Sequence, residues 1–377
     1  MPNLIKKKRF FRKLFARTLQ LIVRTKSLNQ QFSGPLNSVV ILVQEKLGDS
    51  ILLTPLLGNL RVHFPDLEIH LVCFSKASTD FFSNDSNVTA IHQAKKGFHQ
   101  YFRKVLCRKF DLLFNTKDSP STHFLLQTAL IRARFKVGHQ NPYHEGLFNH
   151  LLPIEYHTQM ALKNCALLSL LCIKTTLEEC IPYLPSAPVS SAITSCIEKY
   201  SSELFVGLNI SAGSPMRYWT EEKWACLIAS FSDIGFMIFS APNDSLVKQR
   251  LEKHSNVMAT PPTANIYEVG LLVKHLRLLI TPDTSLVHVA SCYSIPVIGL
   301  YTAAPQDLSR FAPYLVEFEL ITSSTSRVSD IEVESVASVV RKKLRQLSEI
   351  DLMKPSAGKT IRHQLVLSEN TEPLQTR

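Results

Sequence analysis

Several features that would place this sequence in a special class are missing. No uninterrupted apolar run in its 377 residues approaches the ~18 residues that a membrane-spanning helix requires. None of the eight cysteines forms a C-x-x-C pair, so we expect reduced, buried thiols in a cytoplasmic protein and no metal site. With 45% hydrophobic and 19% charged residues, the chain is not mostly disordered. At roughly 100–200 residues per domain, its length predicts two domains.

Acidic residues are absent from the first 44 positions, whereas residues 1–26 contain nine basic ones. The rest of the chain carries 33 basic and 31 acidic residues, so the body is nearly neutral. A nearly neutral body argues against a fold shaped for wrapping nucleic acid.

On a helical wheel, the apolar and the basic side chains of residues 6–24 fall on opposite sides. One half-circle is apolar and the other is basic, with Val23 as an exception; the apolar half holds Phe10, Phe11, Leu14, Phe15, Leu19, Leu21 and Ile22. Such a helix favours an anionic membrane surface. A helix packed on the body, a nucleic-acid arm and a targeting peptide remain alternatives.

Beyond the arm, short β-branched runs alternate with helical patterns, which is typical of parallel sheets covered on both faces. The alternation predicts an arm over 1–34, a first α/β domain over 35–180 and a proline-rich linker over 181–200. It predicts a second α/β domain over 201–350 and a loose tail over 351–377. The predicted strands are 38–44, 68–74, 111–116, 205–211, 236–240, 277–282 and 296–301, and the predicted helices include 121–133, 220–231, 266–276 and 284–293. We expect ligands between the two domains, at the carboxyl ends of the strands.

Three loops at such strand ends carry candidate site residues. In LGDSILLTP (47–55), Gly48 permits a tight turn, and Asp49 is either a helix cap, which we favour, or a general base at the cleft. In NISAGSPMRYW (209–219), the small residues around Gly213 and Ser214, together with Arg217, are either an anion site or an ordinary turn.

The third loop is ITPDTSLVHVA (280–290). Asp283 is expected to cap the next helix, Thr284 and Ser285 offer hydroxyls at its positive end, and His288 lies one turn further on. A Ser/Thr–His–Asp hydrolase site is disfavoured because no G-x-S-x-G turn is present.

Taken together, these three blocks resemble glycosyltransferase family 9, the heptosyltransferases of lipopolysaccharide core synthesis. The first block resembles the family's LGD…TPLL…LR…FP pattern, the second its NPGAS…KRW turn, and the third its NDTG…HLA block. The resemblance implies the GT-B arrangement, in which two Rossmann-like domains face each other across a cleft. It also implies an inverting sugar transfer that uses no metal or other cofactor.

The implied donor is a nucleotide-heptose, usually ADP-heptose, and the implied acceptor is the lipid-anchored lipid A–Kdo core. By position, Asp49 would be the general base and Arg217 would neutralise the leaving phosphate. The remaining donor residues would be Ser214, Asp283, Thr284, Ser285 and His288, with Asp244 near the donor ribose.

Two departures from the family pattern keep other functions open. Ser285 stands where the family has glycine, and the segment TAAPQD (302–307) differs from the family's G-P-T-D-P. A transferase that uses another nucleotide sugar or acceptor is one alternative, and a non-catalytic member with a decayed donor site is another. A nucleotide-sugar epimerase on the same fold fits the first block less well.

Overall fold

In a computed structural model, the described residues are 2–23, 29–94, 97–141, 143–201, 203–303 and 308–353. They form two sheets of six strands each, in which every strand runs parallel to its neighbours. The first sheet consists of β1 (Ser38–Leu42), β2 (Glu68–Cys73), β3 (Ala90–Gln93), β4 (Lys109–Asn115), β5 (Arg132–His139) and β6 (His150–Leu152). The second consists of β7 (Phe205–Asn209), β8 (Phe236–Phe239), β9 (Val257–Met258), β10 (Leu276–Pro282), β11 (Val297–Tyr301) and β12 (Phe318–Thr322).

Both sheets have the same topology. The first has the order β3-β2-β1-β4-β5-β6, and the second repeats it as β9-β8-β7-β10-β11-β12. This is the Rossmann order. The first three strands are added toward one edge of the sheet and the next three toward the other, which leaves a crevice at the carboxyl ends of the first and fourth strands. The expected pair of Rossmann-like α/β domains is confirmed. The crevices lie after β1 and β4 in one domain, and after β7 and β10 in the other.

Helices cover the sheets and connect the strands. They are α1 (Pro2–Val23), α2 (Leu47–Ile51), α3 (Thr54–His63), α4 (Lys76–Phe82), α5 (Phe98–Tyr101), α6 (Thr122–Leu130), α7 (Met160–Leu170), α8 (Ser191–Lys199), α9 (Glu221–Ala229), α10 (Ser245–Leu251), α11 (Ile266–Val273), α12 (Leu286–Cys292), α13 (Leu308–Phe311) and α14 (Val333–Met353). None of these helices is long and apolar enough to span a bilayer.

Local sequence explains many of these elements. The β-branched run SVVIL forms β1, whose five residues are all buried, as expected for a central parallel strand. Thr220 caps α9 as predicted, because its hydroxyl accepts a hydrogen bond from the amide of Lys223. The helix predicted over 121–133 is too long, since α6 ends at Leu130 and β5 begins at Arg132.

Between the domains, residues 181–190 have no regular secondary structure, and α8 then packs against α11 of the second domain. The carboxylate of Glu268 accepts a hydrogen bond from the Ser190 amide at 2.7 Å, which fixes the start of α8. Most of the predicted tail, residues 354–377, lies outside the described residues.

The N-terminal arm is a helix that packs on the first domain. Ala16 and Leu19 of α1 are buried in an apolar cluster with Leu125 of α6 and with Leu147 and Phe148. The apolar half-circle predicted from the wheel is therefore divided, because Leu19 faces the body while other members remain exposed.

Candidate active site

Asp49 lies in α2, immediately after β1, and it does not cap that helix. The N-cap of α2 is Lys46, and no side chain bonds to the free amides there. The capping prediction is therefore wrong, because the helix begins two residues before Asp49. The carboxylate is half-buried at the crevice of the first domain.

Gly48 brings the two domains into contact beside Asp49. A Cβ built on Gly48 would lie 3.0 Å from Cδ2 of His288 and 3.8 Å from Cα of Ser285, both in the second domain. A distance of 3.0 Å is too short for a side chain unless the histidine moves. Glycine at this position lets the loop that carries Asp49 approach the start of α12 closely.

The electrostatic surroundings suit Asp49 to accepting a proton. Burial raises the pKa of this carboxyl above its ordinary value of 3.8, and the negative charge of Asp118 adds to the rise. The positive charges of Lys117, Lys46 and Arg310 act in the opposite direction and favour the ionised form. The net result is a raised pKa, and hence a stronger base than an exposed aspartate.

A buried ion cluster joins the domains next to this base. Arg310 of α13 donates to both carboxylate oxygens of Asp118, at 2.8 and 2.6 Å, and Lys163 of α7 donates to the same carboxylate at 2.8 Å. All three residues are at most 6% exposed. Burial alone would raise the pKa of Asp118, but the two cations together lower it, so the carboxylate is ionised.

Tyr156 completes the cluster. Its hydroxyl accepts a hydrogen bond from Arg310 at 3.0 Å, its ring lies 4.3 Å below the guanidinium carbon, and its carbonyl accepts from Lys163 at 2.6 Å. The cluster holds two positive charges and one negative, so a buried net positive charge lies near Asp49.

In the second domain, Asn209 connects the two turns at the crevice. Its amide donates to the hydroxyls of Thr281 and Thr284, each at 2.9 Å, and so ties the end of β7 to the end of β10. The turn that follows β7 is open around Gly213, because no atom lies within 4 Å of a Cβ built there. Ser214, also half-buried, begins the short 3-10 turn that contains Arg217.

Arg217 of the first turn is paired with Asp283 of the second. The guanidinium Nη1 lies 2.7 Å from the Asp283 carboxylate and donates to the Asp283 carbonyl at 3.2 Å. The prediction that Asp283 caps α12 is wrong, since α12 begins at Leu286 with Ser285 as its N-cap. The amide of Leu286 instead donates to the Thr284 hydroxyl at 3.3 Å.

Ser285 fits the backbone without strain. Its φ is −60°, a conformation that any residue adopts, so the glycine typical of the family is not required here for backbone reasons. The other departure is described only in part, because residues 304–307 of the segment 302–307 lie outside the described residues.

His288 is buried and neutral. It is 4% exposed, burial lowers the pKa of its imidazole to about 4, and Nδ1 has no hydrogen-bond partner among the described residues. At neutral pH it therefore carries no positive charge.

Asp244 follows β8 and lies beside the first turn. Its carboxylate accepts hydrogen bonds from the hydroxyls of Ser211 at 2.5 Å and Tyr218 at 3.0 Å. The structure thus groups Arg217, Asp283, Thr284, Ser285 and His288 around one crevice, brings Gly48 and Asp49 to it from the other domain, and leaves Asp244 at its side.

Four residues at or beside the crevices were not predicted from the sequence: Asn209, Asp118, Lys163 and Arg310. Asp118 follows the carboxyl end of β4, and Lys163 is a lone lysine in the apolar run of α7, so both carried a local signal. Arg310 lies 192 residues from Asp118 in sequence, and no local pattern connects the two.

Two family models match this chain. Residues 99–338 match the model of glycosyltransferase family 9 (heptosyltransferase), and residues 7–162 match a family of unknown function. The chain therefore belongs to glycosyltransferase family 9, and it is a glycosyltransferase. The residues matched to family 9 include both turns of the second domain, whereas Asp49 precedes them.

Two curated relatives carry the name lipopolysaccharide heptosyltransferase 3. One, from Escherichia coli, is 21% identical over 278 residues, which cover 68% of this chain and 81% of the relative. The other, from Escherichia coli strain K12, is 22% identical over 286 residues, which cover 68% and 80%.

Solved structures share the architecture. A family 9 glycosyl transferase from Veillonella parvula superposes with a TM-score of 0.63 at 18% identity, covering 84% of this chain and 99% of that one. The E. coli heptosyltransferase WaaC with ADP gives a TM-score of 0.61 at 14% identity, covering 83% and 99%. These likenesses establish the two-domain GT-B fold.

Proposed function

We propose that this glycosyltransferase moves heptose from ADP-heptose to the lipid A–Kdo inner core of lipopolysaccharide, with inversion at the anomeric carbon and without a metal. The observation that carries the proposal is the position of Asp49. A carboxylate with a raised pKa lies in the first domain, next to Gly48, which contacts Ser285 and His288 at the start of α12 in the second domain.

In the proposed reaction, Asp49 takes the proton of the acceptor hydroxyl while that oxygen attacks the anomeric carbon. The bond to the diphosphate breaks on the opposite face, and the nucleoside diphosphate leaves with the bonding electrons. Inversion needs the base and the leaving group on opposite sides of the sugar. A base in one domain facing a phosphate site in the other supplies that arrangement.

The second domain would hold the donor. Arg217 would neutralise the departing diphosphate, with Asp283 orienting its guanidinium through the 2.7 Å ion pair. Ser214, Thr284 and Ser285 would donate hydroxyls, and His288 would shape the floor of the site. Asp244, beside the same turn, would lie near the donor ribose.

The donor and acceptor are supported by the relatives' names. One solved relative is E. coli WaaC with ADP-2-deoxy-2-fluoro heptose, and the curated relatives are named for lipopolysaccharide. A lipopolysaccharide acceptor is lipid-anchored, which would place this enzyme on the inner face of the cytoplasmic membrane. The unstrained backbone of Ser285 removes one reason to suspect a decayed site.

The test is mass spectrometry of truncated lipopolysaccharide acceptors after incubation with the protein and ADP-heptose. One acceptor carries lipid A and Kdo only, and a second already carries heptose. A gain of one heptose on the first supports the full proposal, and a gain on the second alone moves the acceptor further out along the core. No gain on either acceptor, with nucleotide binding retained in a thermal-shift assay, would contradict heptose transfer.

A further inference from the structure

The N-terminal helix α1 has two apolar faces; the described residues cover one of them, and the other is exposed. Ala16, Leu19 and Val23 follow each other at helical spacing and face α6 and the segment after β5. The opposite face carries Phe10, Phe11, Leu14 and Leu21, whose exposed fractions are 65%, 63%, 51% and 71%. A packed helix would be expected to have polar residues on that side.

Basic residues border the exposed apolar face. Lys13 and Arg17 are exposed, and position 17 lies between Leu14 and Leu21 on the same side of the helix. The sequence contains no carboxylate before Glu45 that could neutralise them. Exposed apolar side chains scattered singly need no partner, but a contiguous group with a charged border indicates an interaction surface.

We propose that Phe10, Phe11, Leu14 and Leu21, bordered by Lys13 and Arg17, form a docking face for an anionic lipid bilayer. The rings and leucines enter the boundary between headgroups and acyl chains, and the cations pair with lipid phosphates. Charge favours this partner over a second copy of the chain, because two such helices would bring positive charges together and neither helix carries an acidic residue.

The covered face gives the docking a fixed geometry. Because Ala16 and Leu19 hold α1 against the first domain, and Gln20 bonds to the Glu145 carbonyl at 2.5 Å, the helix is attached to the domain that carries Asp49. A bilayer bound to the exposed face therefore meets that domain in one orientation. In the proposed reaction, this is the domain that receives the lipid-anchored acceptor.

The test measures co-sedimentation of the full chain with vesicles of phosphatidylcholine alone or mixed with phosphatidylglycerol. We expect binding to the mixed vesicles, and little to neutral ones. Lys13→Gln with Arg17→Gln should weaken binding roughly thirtyfold, since each cation contributes about 1 kcal/mol near an anionic surface. Phe10→Asp with Leu14→Asp should abolish it, whereas Leu246→Asp, at a similarly exposed position in the second domain, should have no effect.

Equal binding of wild type and the Phe10→Asp, Leu14→Asp variant would overturn the proposal, as would equal binding to both vesicle types. Dimerisation of the wild type in sedimentation velocity, lost in that variant without any vesicle binding, would assign the face to a second copy instead. Circular dichroism checks that the exposed substitutions leave the fold intact. The assay contains neither donor nor acceptor, so its result is independent of the proposed transferase reaction.

Discussion

The crevices of the two domains have the same strand topology and very different chemistry. In the first domain, the loops after β1 and β4 bring acidic and basic side chains together: Asp49, Asp118 and Lys117, with Lys163 bonded to Asp118. In the second domain, the turns after β7 and β10 consist of small residues, hydroxyls and a neutral His288, with one half-exposed ion pair.

In the proposed reaction, this difference would let one fold serve two tasks. A group that must change its protonation state benefits from burial and nearby charge, which together set its pKa. A site that binds a phosphate benefits from open backbone and hydroxyl donors that need not ionise. The comparison predicts that substitutions in the first crevice change proton chemistry or stability, and that those in the second change affinity.

The largest effect is expected at Asp49. Asp49→Asn should lower turnover at least about a hundredfold, because a positioned general base contributes typically 10²–10⁴-fold, while nucleotide affinity changes by less than about threefold. Transfer is measured by mass spectrometry and affinity by calorimetry. Asp66→Asn, an exposed position of the same domain, is the control, and unchanged turnover in Asp49→Asn would refute the assignment.

Arg310→Met should lower the free energy of unfolding by about 3 kcal/mol, because the Asp118 carboxylate would lose one of two buried cationic partners. Urea titration measures this loss. The control is Arg341→Met, which breaks an exposed pair with Glu334 and should cost less than about 1 kcal/mol. Equal effects of the two substitutions would mean that the cluster does not hold the domains together.

Arg217→Ala should weaken ADP binding roughly ten- to a hundredfold, as expected for the loss of a charged hydrogen bond of about 1.5–3 kcal/mol. Arg217→Lys should recover part of it, because the charge remains while the planar geometry is lost. Isothermal titration calorimetry gives the affinities, with Arg250→Ala, which breaks the pair with Glu221, as the matched control. Wild-type affinity in Arg217→Ala would exclude it from the donor site.

The acid sensitivity of the domains should differ as well. In the first domain, burial lowers the pKa of His139 to about 3 and the pKa of His144 to about 4. At the crevice of the second domain, burial lowers the pKa of one described histidine, His288. A histidine that is buried in its neutral form favours the folded state fully above the ordinary histidine pKa of about 6.5. This contribution is lost as the pH falls toward 4, because the unfolded chain binds the proton more readily. The loss is up to about 2 kcal/mol for each histidine between pH 6.5 and 5.

Both tryptophans, Trp219 and Trp224, are buried in the second domain, so their fluorescence reports on that domain alone. In urea at pH 5, the transition seen by circular dichroism should begin before the fluorescence transition, whereas at pH 7.5 the two should lie closer together. Transitions that shift equally with pH in both signals would contradict the difference between the domains.

The smallest effect is expected at Ser285. Ser285→Gly should change ADP affinity by less than about threefold, because the serine already has an ordinary backbone conformation. Calorimetry would detect a larger gain, which would mean that the serine side chain obstructs the donor and would revive the decayed-site interpretation.

Sequence alone predicted the parts of this molecule that depend on local pattern. The β-branched runs located β1 and β7, and the Thr220 cap located α9. The end of α6 was placed too late because Ile131 and Ala133 continue a helical apolar spacing, and only the pairing with β4 shows that a strand begins at Arg132.

Residues at the crevice were predicted where their position follows from a place after a strand, and missed where it depends on a distant partner. Arg217 and Thr284 belong to the first kind, and Arg310 with Asp118 to the second. Sequence also could not predict which apolar side chains of α1 are covered, because this depends on the shape of the domain that packs against Leu19.

The contact at Gly48 also has a kinetic meaning. Gly48 lies against His288, so separating the domains at this point would break that contact and expose the buried Arg310–Asp118 pair to water. If the donor of the proposed reaction enters by such a separation, opening is an activated step that each turnover passes twice, once for donor entry and once for release of the nucleotide. We expect the rate of this opening, rather than bond formation at the sugar, to limit how fast the enzyme works.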